Sequence, residues 1–205
     1  MKQFLYEVSL LLVLCSFAVA QEPTQPAAKQ IARQQITLQG SGIFTRKVTD
    51  SGLTYEQTST AGILAGYRFG INKWLGVEGD YDGFRDSQKF VTTGTDTYLK
   101  ANVNAVTGDA IVNIPNPLTK KMKGFIAIGG GALIFDPRDV SSVDRQTRSA
   151  IVFGGGDDFI LTKRLSLRLQ VRNFMYKAPD FGISSLKTTK WTQTQVPSAG
   201  LVYNF

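Results

Sequence analysis

The chain is 205 residues long, 42% hydrophobic and 19% charged, with a formal net charge of +7, one Cys and no His. Without imidazole, and with its only thiol at Cys15, it lacks the usual zinc and haem ligand sets and the common nucleophile–base pairs. No cofactor is expected.

At the N-terminus Lys2 precedes an apolar stretch, Val8–Phe17, and then the small-x-small triplet Ala18-Val19-Ala20. This is the layout of a secretory signal for the general secretory pathway, with cleavage expected before Gln21. The apolar stretch is about half the ~20 residues of a spanning helix. Lipidation at Cys15 is not expected, because Leu14 stands where a small residue is needed. Loss of residues 1–20 removes the only Cys and leaves the net charge at +7, since Lys2 and Glu7 leave together. In an exported chain that balance suits rim and loop lysines near anionic headgroups, and nucleic acid is not an expected partner. Residues 21–34, with Pro23 and Pro26, read as a flexible periplasmic leader.

From Gln35 to Phe205 the pattern is one of strands. Eight runs have about the ten residues that a tilted strand needs to cross a bilayer. The first is Gln35–Arg46. The second, Ser59–Gly70, sets Ala61, Ile63, Ala65, Tyr67 and Phe69 against Thr60, Gly62, Gly66 and Arg68. After the tight Ile71-Asn72-Lys73 turn, Trp74–Phe84 alternates Leu75, Val77, Gly79 and Tyr81 with Gly76, Glu78, Asp80 and Asp82. The fourth run, Leu99–Asn113, opposes Val103, Ala105 and Thr107 to Asn102, Asn104 and Val106, less regularly. The fifth (Lys123–Phe135) and sixth (Arg148–Leu161) carry the triplets Gly129-Gly130-Gly131 and Gly154-Gly155-Gly156. In the seventh, Leu165–Phe174, Leu165, Leu167, Leu169 and Val171 oppose Ser166, Arg168, Gln170 and Arg172. The eighth runs from about Thr192 to Phe205, with Leu201, Tyr203 and Phe205 on one side.

Connections alternate. Short ones fall at Gly70–Lys73 and Thr162–Arg164, and an intermediate one at Ile114–Met122. Long polar ones fall at Lys47–Gln57, Arg85–Tyr98, Asp136–Thr147 and Met175–Trp191. That asymmetry is the one between periplasmic turns and extracellular loops. The longest apolar stretch after the signal, Phe125–Phe135, is too short for a spanning helix, so a membrane reading requires a closed barrel. Alternation alone also fits a soluble lipocalin-type barrel, because periodicity does not say which face is wet. The terminal aromatic and the loop asymmetry favour the membrane. The expected fold is therefore all-β, an eight-stranded antiparallel up-and-down transmembrane barrel over residues 35–205.

In such a barrel the polar face points inward, and buried acids need bases. Arg68, Glu78, Asp80, Asp82, Lys100, Asp158, Arg168 and Arg172 are expected to form a lumenal charge network, structural or gating, joined by Asn102 and Asn104. Asp157 would face lipid near a turn.

The run GFIAIGGGALIF, then GGGDDFILTKRLSLRLQVRNF from Gly154 to Phe174, then the Gly-Leu-Val-Tyr-Asn-Phe end resembles the OmpA/OmpX-type outer-membrane β-barrel superfamily. The unit GYRFGINKWLGVEGDYDGF resembles it too, and the likeness covers the chain after the leader. It implies a bacterial outer-membrane location, with Leu201, Tyr203 and Phe205 as a C-terminal signal for the barrel-assembly machinery, and periplasmic chaperones during biogenesis. Lipid and lipopolysaccharide would surround a monomer. No peptidoglycan-binding domain is recognised, so cell-wall tethering is not expected. Enzymes among small outer-membrane barrels use a His, so this chain is expected to be non-enzymatic. A carboxylate site from Glu78, Asp80 and Asp82, or from Asp157-Asp158, is the less economical reading. The expected role is a structural or surface one with a polar, filled lumen. The alternatives are a narrow gated pore for ions or small solutes, and adhesin-like ligand binding through the long loops. Those loops hold Tyr55, Phe90, Tyr98, Phe181 and Trp191, of which Tyr98 and Trp191 equally suit an aromatic girdle.

Overall fold

The fold is described from a computed structural model for residues 34–50, 52–92, 95–115, 121–138 and 145–205. The expected signal sequence, and the expected leader up to residue 33, lie outside the described residues. Ten strands follow in order: β1 (Gln34–Thr45), β2 (Val48–Asp50), β3 (Leu53–Gln57), β4 (Thr60–Gly70), β5 (Leu75–Thr92), β6 (Thr95–Pro115), β7 (Met122–Pro137), β8 (Gln146–Ile160), β9 (Leu165–Lys177) and β10 (Trp191–Asn204). A single 3₁₀ turn, Ser184–Leu186, lies between β9 and β10.

Eight of these strands close a barrel. Each pairs antiparallel with its neighbours in the circuit β1, β4, β5, β6, β7, β8, β9, β10, and β10 returns to β1. Closure matters because it leaves no unpaired edge in a layer without water. Phe205 is held at the seam by its N–H, which donates to the Gln34 carbonyl at 3.0 Å. All eight expected runs are barrel strands, with ends shifted by a few residues except at the long loops.

Two stretches expected as loops are strands. Arg85–Tyr98 continues the β5–β6 ladder as far as Thr92 opposite Thr95. Lys47–Gln57 holds the β2–β3 hairpin, turned at Gly52 (φ 83°), and β3 docks on the upper part of β5 from Thr54–Val91 to Gln57–Gln88. Their polar composition hid an intact alternation: Leu53, Tyr55, Gln57, Gln88 and Phe90 all point inward and are buried.

The pleat settles which face is wet. Ile36, Leu38, Ile63, Val77, Ile126, Ile128, Leu169, Val171 and Leu201 are exposed around the wall, while Arg68, Glu78, Asp80, Arg168 and Arg172 are buried inside it. That inverts a soluble barrel and suits a wall solvated by lipid. Trp74, Tyr67, Tyr203 and Phe205 are exposed toward the short-turn end, and Phe44, Tyr81, Tyr98 and Trp191 toward the long-loop end.

The glycine triplets have a local cause. Methyl groups at Gly131 or Gly154 would collide with the carbonyls of Val106 and Val171 on the adjacent strands. The neighbouring backbone approaches so closely there that only hydrogen fits on the inner face.

Candidate functional site

The short-turn half of the interior is an ion network whose charges come from five strands, β4, β5, β6, β8 and β9. On β4 and β5, Arg68 pairs with Glu78, its Nε 2.9 Å and its Nη2 2.5 Å from Oε2. From β9, Arg168 reaches the other Glu78 oxygen at 2.7 Å and holds Asp158 of β8 through two bonds, of 2.6 and 2.9 Å. The Nη2 that holds Asp158 Oδ2 also donates to Gln35 Oε1 at 3.0 Å. Both guanidiniums stack on Phe125, at 4.0 Å (Arg68) and 4.8 Å (Arg168) from the ring centre. Arg168 is 0% exposed, so its charge survives only through these partners.

One layer higher, Arg172 forms an ion pair with Asp80 at 3.1 Å and donates to Thr107 at 2.7 Å and to Asp109. Gly66 and Gly129 leave the room that the carboxylates of Asp80 and Asp109 occupy. Above them Ser41 donates to Asp82 at 2.9 Å, across Gly62. Among the described residues, the buried charged side chains are six acids (Glu78, Asp80, Asp82, Asp86, Asp109 and Asp158) and three arginines.

Above this network the inward side chains turn apolar. Ile43, Phe84, Val103, Leu133, Phe135, Val152 and Phe174 pack into one cluster with Leu53, Tyr55 and Phe90 of the upper sheet. Phe181 and Leu186, from the connection after β9, complete it from above. Phe181 sits edge-on to Phe135, 6.5 Å between ring centres, and takes a positive φ of 50° to get there. Within this cluster Tyr55 donates to Gln88 at 2.9 Å, and Tyr176 shares a 3.0 Å bond with Thr194.

Two carboxylates fasten that connection. Asp180 takes a 2.8 Å ion pair from Arg148 and a 2.8 Å bond from Gln146, whose amide oxygen accepts the Asp180 and Phe181 N–H groups. Burial opposes the Asp180 charge, but the bonds from Gln146, Gly182 and Arg148 outweigh it and hold the carboxyl below its ordinary range. On the far side Asp50 of β2 accepts the Thr189 N–H at 2.8 Å and the Thr189 hydroxyl at 2.8 Å, which with Thr188 and Lys190 lower its pKa to about 2.

Seven of the eight charges expected in the lumen point inward; Lys100 does not. It shares its parity with Tyr98 and Asn102, stands exposed on the outer wall, and is flanked by the buried Leu99 and Ala101. The interior at that height is apolar and offers a charge no solvation. Asn102 and Asn104 are likewise on the outer face, where Asn104 accepts the Tyr81 hydroxyl at 2.5 Å. Of the loop aromatics, Tyr55, Phe90 and Phe181 are buried and offer nothing to a surface ligand, whereas Tyr98 and Trp191 are exposed. Asp157 faces outward three residues from the end of β8. Sequence reading missed Asp109 and Asp86. Parity with Thr107 marks Asp109 as inward, and Asp86 lay in a stretch read as loop.

Residues 9–205 match the family described as outer membrane protein beta-barrel domain. No curated protein matches the sequence. Among solved structures, the outer membrane protein OprG from Pseudomonas aeruginosa superposes with a TM-score of 0.60 at 13% identity, covering 84% of this chain and 95% of that one. Neisserial surface protein A gives 0.63 at 13% identity, over 84% and 97%. AlkL, solved in lipid bilayers, gives 0.51 at 12% identity, over 90% and 95%. At these identities the likeness is one of fold.

Proposed function

This chain belongs to the outer membrane protein beta-barrel family and resides in the bacterial outer membrane, and from that premise we propose that it is a non-enzymatic surface scaffold with a sealed lumen. One observation carries the reading: the interior is filled at two levels, by the ion network and by the apolar cluster that Phe181 caps. Eight strands leave room for side chains and little else, and here the side chains use it. What the barrel then offers the outside is its upper sheet, β2, β3 and the extensions of β5 and β6, with the strap Ala178–Lys190 across the mouth. Glu78, Asp80, Asp109 and Asp158 serve as counter-charges for arginines, which accounts for them without catalysis. Leu201, Tyr203 and Phe205 form one outward face beside β1 and serve as the assembly signal in this reading.

The topology is tested by labelling intact cells with a membrane-impermeant maleimide in a Cys15→Ala background. Ser184→Cys, in the strap, labels without lysis; Asn72→Cys, in a short turn, labels only after lysis. The reverse pattern, or labelling of neither in folded protein, contradicts surface presentation of the strap.

A further inference from the structure

We propose that Asp86 is a proton-controlled latch on the foot of β3. Neutral, it lets β3 lie docked on β5; ionised, it loosens that junction and admits water beneath the upper sheet. The inference goes beyond the scaffold role and rests on it only in placing the upper sheet outside the membrane. Below Asp86, β5 pairs with β4 as far as Phe84 opposite Gly62; above it, β5 pairs with β3 from Gln88 opposite Gln57. The partner changes at Ser87, whose carbonyl accepts the Thr58 N–H at 3.0 Å and the Thr58 hydroxyl at 3.2 Å. From Leu75, at the start of β5, to Asp86 the strand rises about 28 Å at about 3.3 Å per residue and a tilt of about 40°. Asp86 therefore stands above the lipid-facing band, at the joint between barrel and upper sheet.

Its side chain points inward and is buried, yet it is poorly matched there. One oxygen accepts Gln88 Nε2 at 3.4 Å, a long bond, and Oδ2 meets no donor among the described residues. Gln57 Nε2, buried on the inner side of β3, meets no acceptor among them either. No base is at hand to balance the carboxylate. At this height β1, β4, β6, β7 and β10 present apolar side chains and threonines. From β3 and β9 come Tyr55 and Tyr176, whose hydroxyls burial keeps protonated, with Tyr176 pushed up to about 12. Arg148 of β8 is committed to Asp180 at 2.8 Å, and Arg172 of β9 lies lower, with Asp80 and Asp109. Below Asp86 on its own strand, Asp82 is held by Ser41. Arg85 and Lys89 of β5, Lys100 of β6 and Glu56 of β3 point outward.

An unpaired carboxylate is costly in such a place, and a neutral carboxyl is not. Burial accordingly pushes Asp86 from 3.8 up to about 7, and the Gln88 bond, which pulls the other way, does not offset it. With the junction open, the carboxyl is hydrated and titrates near its ordinary value. As pH rises above that value the open form gains by ionising and the closed form does not, so closure weakens about 10-fold per pH unit. Above about 7 the closed form ionises too, and the loss levels off. The latch is therefore tightest in acid and weakest from neutral pH upward. Gln57 and Thr58 are the first groups that water then reaches.

The test is hydrogen exchange at the Thr58 amide of folded protein in neutral micelles, corrected for intrinsic rate. Wild-type protection is expected to fall about 10-fold per pH unit from pH 5 to 7, and to change less than ~2-fold from pH 7.5 to 9. Asp86→Asn should abolish the slope and raise protection at pH 8 by at least ~10-fold. Glu56→Gln, which neutralises an outward acid on the same strand, should keep the wild-type slope. Thr189, fastened by Asp50, should show no such slope. Carboxyl-carbon NMR of the wild type carries the test if Asp86→Asn does not fold: Asp86 should titrate near pH 7. A flat wild-type profile, a slope that persists in Asp86→Asn, or an Asp86 carboxyl already ionised at pH 5 overturns the proposal. The exchange is read in micelles, so failure of the labelling test on cells leaves it standing, and failure of the latch leaves the scaffold reading intact.

Discussion

Arg168 concentrates the energetics of the interior in one side chain. It is fully buried and touches Glu78, Asp158 and Gln35 at once. Truncation strips Asp158 of its two guanidinium bonds and leaves Glu78 with Arg68, in a buried site, so Arg168→Ala is expected to cost about 3–5 kcal/mol of unfolding free energy, read from denaturant titration in micelles. Arg168→Lys keeps the charge and loses the fork, so it should fall between wild type and Ala. A loss below about 1 kcal/mol for Ala would mean that the network is solvated and not structural. The sequence marked most of this network, because Ser166, Arg168, Gln170 and Arg172 alternate against leucines and valine in a run with no irregularity. It misassigned Lys100 because strand four is weakly amphipathic: alanine, asparagine and threonine on both sides give no apolar face to fix parity. Once Asp109 is paired with Arg172, the parity of that strand follows, but the pairing is a contact between strands far apart in sequence.

At the scale of elements, the glycine triplets and the strap each make a prediction. A methyl at Gly154 meets the Val171 carbonyl of β9, so Gly154→Ala should slow folding into micelles and lower the unfolding midpoint. Gly108→Ala, where a Cβ meets nothing within 4 Å, should change neither measurement appreciably. The strap is fastened by carboxylates whose pKa values lie below the ordinary range. Their stabilisation is complete above the ordinary carboxyl range and is lost as pH falls; for Asp50 that loss runs from the ordinary value of 3.8 down through its folded pKa of about 2. Hydrogen exchange at Thr189, corrected for intrinsic rate, should therefore stay protected from pH 8 to 5, and Asp50→Asn should speed it at neutral pH. Pronounced deprotection of wild type near pH 6 would refute the clasp. These features were unevenly legible. The eight runs were visible because one face of each must be apolar for lipid. The strand extensions above the membrane were not, because there both faces meet water or protein and polar residues no longer report position.

For the molecule as a whole, the apolar wall and charged interior together imply a barrel that lipid holds from outside and ion pairs hold from within. The alternation in sequence already contained both faces; which one was wet depended on the circuit of strands and on burial. The contact of Phe181 with Phe135 was not readable at all, since it joins rings more than forty residues apart in sequence. The most direct measurement is single-channel recording of purified, folded wild-type protein in a planar bilayer. A sealed scaffold gives no stable conductance steps at ordinary voltages. Reproducible steps that are abolished by neutralising Glu78 or Arg168 would contradict it and establish a gated pore instead.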